Sequence, residues 1–210
     1  MSSFWMFVIN DWIFAIPMIC LSIGGIALIT WRVLLNKGLL YETDQLLEKL
    51  KIILIRDGAK AAIDSTNDQK DWLTNLLFSS GIKGLTKGLP ASRKELNNSV
   101  EFEIIPRLNY LLPTMLAIAK IATMVGLLGT VVSMIGTFNK IQEAQGGVSE
   151  QAGSIGLALY ATALGLVTAI PLVFAHVLFK AQISDYEIRI KRACQNFLEM
   201  ASALKTPLKP

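Results

Sequence analysis

Side chains that carry chemistry are scarce in this 210-residue chain. It has one histidine, His176, and two cysteines, Cys20 and Cys194, too far apart for metal-ligand spacing. That inventory excludes a zinc centre and assigns the cysteines to small core positions. Charged residues make up only 17% of the chain, and the segments 12–31, 121–138 and 154–179 contain no Asp, Glu, Lys or Arg. An intramembrane enzyme would need a His/Asp/Glu/Cys constellation, which these segments lack, so neither an enzyme nor a cofactor is expected. No basic residue precedes the first apolar run, in "MSSFWMFVIND", and no A-x-A-like cleavage site follows it. The N-terminal segment is therefore expected to be retained rather than removed as a signal peptide.

What the chain has instead is hydrophobic residues, 52% of the total, gathered into blocks. "WIFAIPMICLSIGGIALITW" (12–31), "IATMVGLLGTVVSMIGTF" (121–138) and "SIGLALYATALGLVTAIPLVFAH" (154–176, extended to 179) are the three that stand out. Each approaches the ~20 residues that carry a helix across ~30 Å of hydrocarbon. Trp12 and Trp31 bracket the first like interfacial anchors. The expected class is an all-α integral membrane protein: three transmembrane helices with long cytoplasmic helical extensions. The expected divisions are 1–11 outside (periplasmic, if the membrane is the bacterial inner membrane that the resemblance below implies), 12–31 first span, 32–112 cytoplasmic helical region, 113–139 second span with its lead-in, 140–153 outer (periplasmic) loop, 154–179 third span and 180–210 cytoplasmic C-terminal helix.

The orientation comes from charge. Residues 32–120 hold 13 Lys/Arg and 180–210 hold 6, whereas 139–154 holds only Lys140 and 1–11 none. The positive-inside rule places the N-terminus outside and both basic regions in the cytoplasm. A net charge of +4 distributed in this way speaks for topology in a lipid bilayer rather than for nucleic acid.

Outside the spans, "YETDQLLEKLKIILIRDGAKAAID" carries Leu46, Leu47, Leu50, Ile53 and Leu54 at helical spacing. "STNDQ" and "GIKGLTKGLP" read as breaks. "PASRKEL" reads as a helix start, with Ser92 and Glu95 in capping-box spacing. That helix places Leu96, Val100, Ile104, Leu108 and Leu111 on one side and is expected to run into the second span, kinked at Pro106 and Pro113. "DYEIRIKRACQNFLEMASAL" reads as a final helix with the stripe Ile190, Ala193, Phe197, Ala201 and Leu204.

Inside the second span, Thr123, Gly126, Thr130, Ser133 and Thr137 alternate three and four residues apart and share one face. Ala158, Thr162, Gly165 and Ala169 repeat the pattern in the third. Two readings stand. Small residues let helices approach closely in lipid, so the stripes can be a packing seam. Alternatively, part of the face lines a narrow polar cavity in which hydroxyls orient water. His176 is either an interfacial side chain or a cytoplasmic exit for an ion, and Pro171 either bends its span or is tolerated there. Ion carriers usually need an intramembrane ionisable group. With no carboxylate in any span, either no ion is carried or a partner supplies the acid.

These residues carry a resemblance. "GLLGTVVSMIGTF" (126–138) and "ATALGLVTAIPLVFAH" (161–176) resemble the two signature segments of the ExbB/TolQ/MotA proton-channel family, and "RLNYLLPTMLAIAKIA" (107–122) is similar to its lead-in helix. The three-span layout with its N-terminus outside agrees with the ExbB/TolQ branch, since MotA-type subunits have four spans. The resemblance implies a homo-oligomer, a pentamer, in the bacterial inner membrane. This would surround a dimer of single-span ExbD/TolR-type helices whose transmembrane Asp cycles its proton. It implies a motor driven by the proton-motive force, working through a TonB-like protein or the Tol–Pal system, with protons or alternatively sodium ions as the transported species. Thr130 and Thr162 match the family's pore threonines, Gly126, Gly129 and Gly165 its packing glycines, and Pro171 its "AIP" proline. Thr123, Ser133 and Thr137 would extend the pore lining. Members typically carry Glu where Leu157 stands, and many have Pro at the position of Thr123 and Gly at that of Ser133. A membrane scaffold without an ion path is the competing reading.

Overall fold

The computed structural model describes residues 5, 8–9, 12–36, 43–67, 72–142 and 148–203. Among them only helices occur, and three are long and apolar enough to cross a membrane. The chain divides into two units, 1–35 with 111–179 and 36–110 with 180–210.

The first unit holds α1 (Trp12–Asn36, up to Leu35), α7 (Leu112–Gln142) and the first part of α8 (Val148–Ala203). Its burial pattern is inverted relative to a water-soluble bundle. Ala15, Gly25, Ala119, Ala122, Gly126, Gly129, Ala158, Ala161 and Gly165 face inward. Ile23, Ile26, Met124, Leu127, Leu159, Val167, Ile170 and Phe174 face outward, each more than 40% exposed. Such a surface is unfavourable in water and natural in lipid, where large side chains gain nothing by leaving the hydrocarbon and association rests on close backbone packing. The three helices alternate in direction. A methyl on Gly129 would touch both Ala161 and Phe14, and one on Gly25 would meet Leu172. Thus α1 runs parallel to α8 and α7 antiparallel to both.

The second unit holds α2 (Thr43–Arg56), α3 (Gly58–Asn67), α4 (Trp72–Leu85), α5 (Leu89–Asn98), a π-helical turn (Ser99–Ile104), α6 (Ile105–Asn109) and the end of α8. Its core is conventional: Leu73, Leu77, Phe78, Ile82, Leu96, Ile104, Ile190 and Phe197 are buried. The Phe78 and Phe197 rings meet at 5.8 Å. Of the stripe expected in the tail, Ile190, Ala193, Phe197 and Ala201 are buried, while Leu204 lies outside the described residues. In α2, Leu50 and Leu54 are buried and Ile53 is half-buried; the side chains of Leu46 and Leu47 lie outside the description.

Four sequence expectations are corrected here. The segment read as one helix across "LIRDGAK" is two, α2 and α3, separated by a turn at Asp57, where glycine 58 lowers the cost of leaving the helix. Of "GIKGLTKGLP" only 86–88 leave the helix, and Gly81 and Gly84 lie inside α4. A methyl on Gly81 would strike the Phe197 ring and Leu96, and one on Gly84 would strike the backbone of Ser92, so these glycines serve close helix approach. Ser92 caps nothing. Gly88, at φ 111°, is the N-cap, and Pro90 occupies the first turn, where its missing N–H costs no bond. Ser92 falls in the second turn, buried, with Oγ donating to the Gly81 carbonyl at 2.8 Å. Finally, no continuous helix joins "PASRKEL" to the second span. Pro106 cannot donate to the carbonyl of Phe102, and the chain takes a π-turn there. Pro113 would clash with the carbonyl of Asn109, and the chain breaks at Tyr110 and Leu111 before α7 begins.

Cys194 is half-buried in α8 beside a groove of about 670 Å³ that Leu89, Arg93, Lys191 and Leu198 also line. Burial pushes its thiol from 9.0 up to about 11. The thiol is therefore neutral at physiological pH. Maleimide labelling of Cys194 at pH 8 is expected to be about a hundredfold slower than for an unperturbed thiol, rising tenfold per pH unit and levelling only near pH 11. Labelling kinetics of a Cys20→Ala variant, native and denatured, check this.

Candidate functional site

The site grows from the antiparallel contact of α7 and α8. At its centre two glycines face each other. A methyl on Gly126 would lie 2.8 Å from the Ala161 carbonyl oxygen and 3.3 Å from the Gly165 Cα; one on Gly165 would lie 2.7 Å from the Ala122 carbonyl oxygen. The backbones approach so closely that only hydrogen fits at these positions, which is what lets short polar side chains reach across.

Thr162 makes that reach. Its Oγ1 lies 3.1 Å from the Gly126 carbonyl oxygen and 3.3 Å from Thr130 Oγ1. Thr130 donates its own proton to the Leu127 carbonyl at 2.6 Å. The hydroxyl protons of the pair are thus turned into the protein, and the oxygens keep lone pairs that can accept. Both side chains are half-buried. Two further hydroxyls of α7 bond back to their own helix, Thr123 to the Lys120 carbonyl at 2.8 Å and Thr137 to that of Ser133 at 2.9 Å. This habit makes threonine tolerable in lipid without a partner. Thr137 is buried, whereas Thr123 and Ser133 are half-buried.

Gly129 packs against Ala161 and Phe14 rather than against the hydroxyl pair. Pro171 lies within α8 on an exposed face. Leu157 is half-buried against a cluster of Ala15 and Ala161, together with Val8 and Leu164. His176 stands at the far end of the pair, its Nδ1 3.1 Å from the Leu112 carbonyl oxygen.

Two features escaped the sequence reading. Arg32, counted there with the basic region after the first span, is buried in the first unit. The signal was present, since Met18, Gly25 and Arg32 follow at seven-residue steps on one face of α1. The partner of His176 had no sequence signal, because a backbone carbonyl 64 residues away leaves no residue type to look for.

These features define a three-span, all-helical membrane protein whose central contact, between charge-free stretches of two helices, is closed by glycines and bridged by two hydroxyls. The sequence profile of the MotA/TolQ/ExbB proton channel family matches residues 72–192, which take in all of α7 and most of α8. The chain belongs to that family. No curated protein sequence matches it.

Proposed function

We propose that this chain is the channel-forming stator subunit of an inner-membrane motor of the ExbB/TolQ type, driven by the proton-motive force and energising an envelope or outer-membrane process such as TonB-dependent import. The observation that carries the proposal is the Thr162–Thr130–Leu127 hydrogen-bond chain in spans that contain no ionisable acid. A pair of oxygens whose protons point inward offers acceptors and no donor. It suits a neutral carboxylic acid, which brings its own O–H, better than a carboxylate. The acid would come from the transmembrane Asp of a single-span ExbD/TolR-type dimer held inside a homopentamer of this chain. A carboxyl confined to a low-dielectric pore is biased toward its neutral form, so it can load and release a proton as it passes the threonines.

In this reading the N-terminus and the segment between the second and third spans are periplasmic and the second unit is cytoplasmic. Thr123, Ser133 and Thr137 extend the lining, and His176 stands at the cytoplasmic exit. Protons are the transported ions, with sodium the alternative. Co-expression with a single-span ExbD/TolR-type protein that carries a transmembrane Asp, purification of the complex and reconstitution into vesicles with a pH-sensitive dye provide the test. The expected result is a complex that conducts protons down an imposed gradient, and that fails to when the partner's transmembrane Asp is replaced by Asn. A complex that forms without conducting protons or sodium would support the scaffold reading instead.

A further inference from the structure

We propose that His176 is a positioning residue, a latch that ties the start of the second span to the end of the third and holds a strained joint in place. Leu111 has φ 70°, the one positive value at a non-glycine residue among those described. A leucine in the left-handed region pays a steric penalty and persists only where its surroundings overdetermine it. The surroundings here do so through two successive carbonyls. The Leu111 carbonyl accepts from the Met115 amide at 3.0 Å, closing the first turn of α7. The next carbonyl, that of Leu112, accepts from His176 Nδ1 at 3.1 Å. Pro113 follows and has no N–H to offer a competing arrangement. Leu112 and Met115 are buried, which fixes the depth at which the turn sits.

A carbonyl only accepts, so Nδ1 must carry the proton. That is true of the Nδ1–H tautomer and of the imidazolium alike, so the latch needs no particular charge on the ring, and Nε2 is left unconstrained by it. The contact lies at the opposite end of the helix pair from Thr137, well away from the glycine crossing, and its role is independent of whether an ion passes the threonines.

Hydrogen exchange of the full-length protein in nanodiscs tests the latch. Asn places its amide nitrogen where imidazole holds Nδ1, whereas Gln places it near Nε2. In His176→Leu and His176→Gln the segment 111–120 is expected to exchange roughly fivefold faster, the factor that one net hydrogen bond carries, with 126–135 unchanged. His176→Asn is expected to restore protection at 111–120. Adding Leu111→Gly to His176→Leu removes the strain and is expected to return most of the protection. Wild-type exchange at 111–120 in His176→Leu would overturn the latch. If that variant fails to fold, equal exchange in the Asn and Gln variants overturns it.

Discussion

Replacing Thr162 or Thr130 with valine is expected to abolish energy coupling while leaving the protein folded and assembled. The two effects separate because the hydroxyls are cheap structurally and specific chemically. Valine keeps the branched shape. What it removes is a cross-helix bond, Thr162 Oγ1 to the Gly126 carbonyl and to Thr130 Oγ1, of a kind worth about 0.6 kcal/mol on average in membranes. The Gly126 carbonyl keeps its place inside α7, so no buried group is orphaned. Stability should therefore shift by less than ~2 kcal/mol. Each substitution removes one of the two paired acceptor oxygens, and with it the seat proposed for a neutral acid. Proton flux or growth on a substrate that needs energised uptake should fall to the level of the deletion strain, and serine at either position should restore much of it. Full coupling in both valine variants would mean that the pair is packing alone.

Gly126→Val and Gly165→Val are expected to have the opposite profile, with loss of folded protein. Even the first methyl would sit 2.8 Å from the Ala161 carbonyl oxygen at Gly126 and 2.7 Å from the Ala122 carbonyl oxygen at Gly165. Those atoms are backbone and cannot rotate away, so the helices must separate. Overpacking against fixed backbone falls at or above the upper end of the usual ~1–3 kcal/mol, which outweighs the fraction of ~1 kcal/mol that a helix gains when valine replaces glycine. Separation also breaks the Thr162 contacts. Gly136 and Gly156 are the internal control, because a methyl there meets nothing within 4 Å; alanine at either should be neutral or slightly stabilising. Thermal unfolding in detergent, followed by size-exclusion chromatography, distinguishes the cases. Equal tolerance at all four positions would remove the close crossing from the account.

The three spans were legible because hydropathy and length are summed over about twenty neighbouring residues, and no tertiary partner can alter that sum. The stripe of Thr123, Gly126, Thr130 and Thr137 was legible for a similar reason: a helix converts spacing into a face. The stripes of the second unit, Leu96–Ile104–Leu108 and Ile190–Ala193–Phe197, follow the same rule, and their residues are buried. Glycine and proline misled wherever their role depended on what lay opposite. Gly81 and Gly84 have the composition of a break, yet a neighbouring helix occupies the space a side chain would need. Ser92 has the spacing of a cap, yet Gly88 and Pro90 start the helix four residues earlier.

By itself the sequence determined the all-helical membrane class, the number of spans, the uncharged hydroxyl faces and the absence of an acid within them. All of these are one-dimensional sums or periodicities. Tertiary structure alone decided that Thr162 donates toward Gly126 and Thr130, that Leu157 lies against Ala15 and Ala161, and that His176 holds the carbonyl after a left-handed Leu111. Each depends on a backbone atom or a small side chain brought near by packing, and such partners leave no pattern in the order of residues.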